Sequence, residues 1–276
     1  MKAPHAAIAG LLITVSTAAL IAQAPDASSR PAFEVATIKR NVTVDSGGGG
    51  GMAPGGRFRL VNMDVRTLIL IAYRAAGTQL FPSQLIGAPG WTSTENYDIT
   101  AKVGDDLAGK PMPELFRVQP LLLQSLLADR FKLKVHRETR DLPRYALVLA
   151  RKDGALGPQL QKSDVDCVTA PARCSLQVSP GRFAAGSEPI SALIAFIAPN
   201  QQRVVIDRTG LQGRYAITLE WMPDRAPLPL NGDVPPPSDK PLLGTALQDQ
   251  LGLKLESERG PVDVIVIDRV ERPTED

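Results

Sequence analysis

The chain has 276 residues, of which 43% are hydrophobic and 22% charged. That length can bury one large core or two small ones, and the composition excludes a chain that is disordered throughout. The net charge is only +2, so bulk electrostatics point neither to nucleic acid nor to an anionic membrane as partner.

In chain order, Met1-Lys2 leads into a mostly apolar run from Ala6 to Ala22, and Ala22-Gln23-Ala24 follows as a small-x-small motif. This predicts a signal peptide over residues 1–24 and export to the periplasm or medium. Pro25 is an awkward neighbour for a signal peptidase and keeps an uncleaved anchor as the alternative, although a span needs about 20 apolar residues. A membrane is a partner only in that case.

Phe33 to Lys39 alternates like a half-buried strand. The glycine run Gly47 to Gly51 reads as a flexible hairpin connection. A phosphate loop would need Gly-Lys-Ser/Thr opening a helix, but Gly55-Gly56-Arg57 stands there and a strand, Gly56 to Val61, follows. Asn62 is the expected helix N-cap, with Asp64 in the first turn. Val65, Leu68, Ile69 and Ala72 then mark one helical face. A loop with Pro89-Gly90-Trp91 precedes a strand from Tyr97 to Val103. After the loop Gly104 to Pro113 come a helix carrying Leu123, Leu127 and Phe131, and two strands, Leu133 to Val135 and Tyr145 to Ala150.

The same order then returns. Gly181-Arg182-Phe183 repeats Gly56-Arg57-Phe58, Ser187 is the expected cap, and Ile190, Leu193, Ile194 and Ile197 recreate the helical face. Tyr215 to Trp221 matches the Tyr-x-Ile-Thr strand. The loop Pro223 to Pro241 holds seven prolines and predicts an extended excursion. Leu243, Leu247 and Leu251 answer the second helix, and strands at Leu253 to Leu255 and Val262 to Asp268 close the chain. These matches predict an α+β fold made by internal duplication of a unit with two helices and about four strands. The halves, 31–150 and 151–276, would be related by a pseudo-twofold axis and share the strand near 145–150.

The segments "PAFEVATIKRN", "GGRFRLVNMDVRTLILIAY", "GAPGWTSTENYDITAKV", "LLLQSLLADRFKLKVHRETRDLPRYALVLARK", "VIDRTGLQGRYAITLEW" and "LQDQLGLKLESERGPVDVIVIDRVERP" resemble the soil-associated protein family. This is a group of exported proteins of soil bacteria, carried as a domain of unknown function. The resemblance spans nearly the whole mature chain. It implies no established activity. Some members carry the domain after a membrane metallopeptidase of the antibiotic-sensor type, which implies an extracytoplasmic sensing or docking role.

Candidate chemistry is sparse. Beyond the signal segment the one histidine is His136, so a histidine-rich zinc site and HExxH are excluded. With Lys132 and Lys134 it is expected on one solvated strand face. No cofactor or metal is expected. Asp129 and Asp249, and Glu138 and Glu258, occupy matching positions and could serve acid–base work where the halves meet. Arg57 and Arg182 each precede a phenylalanine. Each either pairs a neighbouring carboxylate or belongs to a two-arginine anion site. Cys167 and Cys174, the only cysteines, read as one local disulfide in an oxidising compartment, with two free thiols as the alternative. The leading reading is a non-enzymatic binding, sensing or interaction module for a protein or small ligand in the cell envelope. The alternative is a carboxylate-dependent hydrolase.

Overall fold

A computed structural model describes residues 30–43, 47–75, 78–223, 239–274 and 276. The signal-peptide expectation and most of the proline-rich excursion lie outside the described residues. Pro31–Asp276 form one compact unit.

The first half runs β1 (Phe33–Asn41), β2 (Gly49–Ala53), β3 (Arg57–Asp64), α1 (Val65–Tyr73), β4 (Leu85–Ile86), β5 (Asn96–Val103), α2 (Asp105–Ala108), α3 (Met112–Arg130) and β6 (Lys134–Leu149). The second runs β7 (Leu160–Lys162), β8 (Leu176–Ser179), β9 (Arg182–Glu188), α4 (Ile190–Gln201), β10 (Val205–Asp207) and β11 (Tyr215–Glu220). It ends with α5 (Leu243–Ala246), continued by a π-helical turn Leu247–Leu251, and β12 (Leu253–Arg269). The fold is α+β. Each half supplies six strands among the described residues rather than about four. The extra ones are short, or glycine-rich like β2, so they carry little periodicity.

Two outer sheets have the orders β1-β5-β3-β2 and β7-β11-β9-β8. Taken by position in the chain, both read first, last, third, second. A middle sheet has the order β10-β6-β12-β4. Its spine is the antiparallel ribbon of β6 and β12, paired from Lys134↔Arg269 to Leu149↔Leu253. Each is one long strand where two were expected, with Pro143 inside the first and Pro261 inside the second. Ala150 donates its N–H to Gly252 and Tyr145 to Val204 on the other side, so odd-numbered β6 residues turn their amides away from β12. Pro143 has that outward parity, as does Pro261 opposite Asp141. β10 joins only at Tyr145–Leu147 and β4 only at Ile265–Val266. Neither proline therefore removes a ladder bond.

The strand expected near 145–150 is thus the end of β6, beside β10 and β12. The place beside β11 that corresponds to β1 beside β5 belongs to β7.

Two apolar clusters follow. One joins α1, α3 and the first outer sheet to Ile265 and Ile267 of β12. The other joins α4, α5 and the second outer sheet to Leu147 of β6 and to Phe81. Each cluster takes a strand end from the opposite half of the chain.

Both expected caps are corrected. Asp64, not Asn62, caps α1, accepting from the Thr67 amide at 2.9 Å. Asn62 instead has φ 53° where β3 shifts register against β5, and its amide donates to Asp98 at 2.8 Å. α4 starts after Pro189 with no side-chain cap. Ser187 is buried, and Arg214 Nε donates to its carbonyl at 3.0 Å.

Candidate functional site

Arg57 and Arg182 start β3 and β9, on different outer sheets, and both are exposed. The residue opposite Arg182 on β11 is Glu220, and the two side chains lie 3.4 Å apart. Opposite Arg57 stands Lys102. Of the two, Arg182 therefore faces a carboxylate across the strands and Arg57 faces a cation.

His136 lies on β6, but Lys132 does not share its strand. Lys132 has φ 52° after α3, and its ammonium donates to the Asp129 carbonyl at 2.7 Å. The His136 ring is bound on both sides, Nδ1 to Asp268 at 2.9 Å and Nε2 to Glu138 at 2.8 Å. Arg140 also donates to Glu138, at 2.8 Å. Glu138 first, then Asp268, raises the histidine above its ordinary pKa, and His136 with Arg140 lowers that of Glu138. Both ring nitrogens are committed to carboxylates, so the arrangement is a set of ion pairs.

Glu258 is held from two sides. The buried Arg144 donates through Nε at 2.8 Å, and Arg208 lies 3.2 Å away. Arg144 also donates to the Pro261 carbonyl. Its guanidinium fits because Gly260 has no side chain, a Cβ there lying 2.5 Å from the guanidinium carbon. Asp129 and Asp249 are exposed on helix ends. Among the described residues, no three His, Cys, Asp or Glu side chains are placed to hold a metal ion.

A third charged node fastens the C-terminal segment. Arg272 donates to the Glu95 carboxylate at 2.7 Å and lies 5.0 Å from the Trp91 ring centre. It holds the Glu95 pKa down, while burial and Glu95 push the Tyr97 phenol up to about 12.

Cys167 and Cys174 form a disulfide with Cα atoms 5.6 Å apart. The loop they close leads directly into β8. Gly186 donates its amide to Ser175 at 3.2 Å, and a Cβ on Gly186 would lie 1.7 Å from the Arg173 carbonyl oxygen. Only glycine admits this crossing, which docks the loop exit on β9 and aims β8 along the sheet edge.

That edge is the feature the sequence reading missed. Leu176 and Val178 stand opposite Ala185 and Phe183, which face the second apolar cluster. Opposed residues share a face of the sheet, so Leu176 and Val178 point to the core side. Yet they are 49% and 53% exposed. On the matching strand of the first half, Met52 stands opposite Phe58 and is only 7% exposed, under α3. The short α5 and its π-helical turn pack on β11 instead. The signal lay in Ser175-Leu176-Gln177-Val178-Ser179, an alternating stretch free of charge between Cys174 and Pro180.

Among the described residues, no helix is long and apolar enough to cross a membrane. No curated protein and no solved structure matches the chain. Residues 66–270, from α1 to the end of β12, match the family model described as "Protein of unknown function (DUF3738)", and the chain belongs to that family.

Proposed function

We propose that this chain is an exported interaction protein that binds a protein partner in the cell envelope through the uncovered edge of its second outer sheet. The observation that carries this reading is the half-exposed, core-facing pair Leu176 and Val178 on an end strand. An end strand offers unpaired N–H and C=O groups to any extended chain, and sheets ordinarily blunt such edges with charge or proline. β8 carries neither. Both side chains are already half-buried, so covering the rest of each is worth half of the roughly 1.5–3 kcal/mol of a full burial.

Export through a signal peptide at residues 1–24 fits the disulfide. The two halves, 31–150 and 151–276, are read as copies of one unit around a pseudo-twofold axis. What supports this is the shared strand order of the outer sheets and the two apolar clusters with exchanged strand ends. The resemblance to exported soil-bacterial proteins, some of them joined to sensor peptidases, favours docking outside the cytoplasm.

A photo-crosslinking residue placed at Val178 in the native envelope tests the reading, with one at Arg57 as control. A protein adduct is expected from position 178 and not from 57. Absence of any adduct at 178 sinks the proposal. Sequencing the mature N-terminus, expected between Ala24 and Pro31, tests export separately.

A further inference from the structure

We infer that the occupant of the β8 edge is a second copy of this chain, paired β8 to β8, antiparallel, about a twofold axis at Gln177. The inference rests on the interaction reading above and names its partner.

The backbone sets the register. Gly186 donates to Ser175, and Trp221 donates to Gly181 on the far side of β9. Even-numbered β9 residues therefore bond to β8, and the β8 residues they meet are Ser175, Gln177 and Ser179. Leu176 and Val178 are left with N–H and C=O aimed out of the sheet. Rotating a second copy about Gln177 sets Leu176 against Val178 of that copy, and Val178 against its Leu176. These are the residues whose groups point outward, so each pair exchanges both its hydrogen bonds.

Side chains agree with that register. Ser175-Leu176-Gln177-Val178-Ser179 reads almost alike in both directions. Serine meets serine, glutamine meets glutamine, and the apolar residues meet on the core-side face. No charge lies between Cys174 and Pro180, so two copies approach without like-charge repulsion, which commonly guards sheet edges. Pro180 has the outward parity and cannot donate, so the ladder stops at Ser179. A one-residue slip would set Leu176 against Gln177 and turn the apolar pair away from its counterpart.

A contact this short belongs to the weak end of protein interfaces, below about 1,200 Å². Sedimentation equilibrium over a concentration series should show a monomer–dimer equilibrium for the disulfide-bonded protein. Val178→Lys and Leu176→Lys each set lysines beside the axis. Each should weaken association at least tenfold while leaving the circular dichroism and the Cys167–Cys174 bond intact. At the axis, Gln177 meets its own copy in a pair without hydrogen bonds, whose Cα atoms come within about 4.5 Å, inside disulfide range. Gln177→Cys should therefore oxidise to a dimer linked through position 177, faster than Ser179→Cys, which is also exposed but faces Ser175. A wild-type protein that stays monomeric, a dimer indifferent to Val178→Lys, or equal oxidation of the two cysteine variants overturns the inference. A monomer in solution with a foreign adduct at position 178 in the envelope would overturn it too, yet leave the interaction reading standing. No adduct at all would remove both.

Discussion

The two outer sheets have one strand order and two fates. In the first half α3, 19 residues long, packs across β2 and β1. In the second, α5 and its π-helical turn, Leu243–Leu251, cover β11 and leave the apolar face of β8 in solvent. The strands themselves do not make this difference. Helix length does, and so the same sheet is closed in one half and open in the other. Local devices differ in the same way. The first half holds its register shift with Asn62 and Asp98, the second with Arg214 over Ser187.

The comparison holds only if the halves are parts of one folding unit, and cutting the chain is the severest way to break it. Each cluster uses a strand end from the other half, Ile265 and Ile267 in one and Leu147 in the other. Fragments 31–150 and 151–276 each lose those strands while still bearing a chain-entropy cost of about 1–2 kcal/mol per residue. Neither fragment alone should show a cooperative urea transition, and mixing them should restore one. Two cooperative transitions near the midpoint of the intact chain would make the halves independent.

The next effect tests how far the open edge depends on its loop. The Cys167–Cys174 bond closes a short loop, worth on the order of 2–3 kcal/mol in the chain-entropy model. Reduction should lower stability by about that amount, and hydrogen exchange should rise first in β8. Gly186→Ala, which forces a Cβ onto the Arg173 carbonyl, should cost about 1–3 kcal/mol and loosen the same strand. If β8 stays protected in either case, the loop does not aim it. Mass spectrometry of the unreduced protein checks the bond itself through its two-proton deficit.

Much of the first half could be read from the sequence because its signals are strong and local. Val65, Leu68, Ile69 and Ala72 repeat with helical period, and all four are buried. Tyr97 to Val103 alternates and forms β5. Local pattern failed where long-range pairing decides. The stretches on either side of Pro143 and of Pro261 read as separate strands, yet a ribbon two strands wide carries both prolines at outward positions. Gly47 to Gly51 read as a flexible hairpin connection, yet Gly49 to Gly51 pair with β3. The exposed pair on β8 was invisible for a related reason. Leu176 and Val178 alternate like core residues, and only the reach of a helix distant in sequence leaves them uncovered.

The helix starts give a smaller contrast. α1 has a side-chain cap from Asp64, whose second oxygen accepts from the Thr67 hydroxyl at 2.7 Å. α4 follows Pro189 with none. Asp64→Ala should cost about 1 kcal/mol, measured by urea unfolding. Pro189→Ala removes no cap bond and should cost less. Equal losses would show that capping does not distinguish the two halves.

The smallest effect separates the two ends of the β6–β12 ribbon. Near one end Glu258 meets Arg144 and Arg208, cations that keep their charge at any physiological pH. Near the other, Glu138 and Asp268 share His136, with Arg140 beside Glu138, so only this end can titrate near neutrality. Glu138 and then Asp268 raise the folded-state pKa of His136 above its unfolded value of about 6.5. The sign follows from proton linkage. The contribution is complete below pH about 6.5, where both states carry the proton, and it is lost as pH rises through the folded value. The cluster is solvent-exposed and salt-screened, so the effect stays small. The chain has two histidines, His5 and His136, so in protein that starts at Pro31, where the compact unit begins, a single imidazole resonance follows His136 by NMR. Its midpoint should lie above that of a free histidine and fall toward it in Asp268→Asn and in Glu138→Gln. The stability difference between wild type and His136→Gln should shrink over the same pH interval. A midpoint at the free value would mean that the carboxylates do not hold the ring, and the two ends of the ribbon would then differ in charge but not in titration.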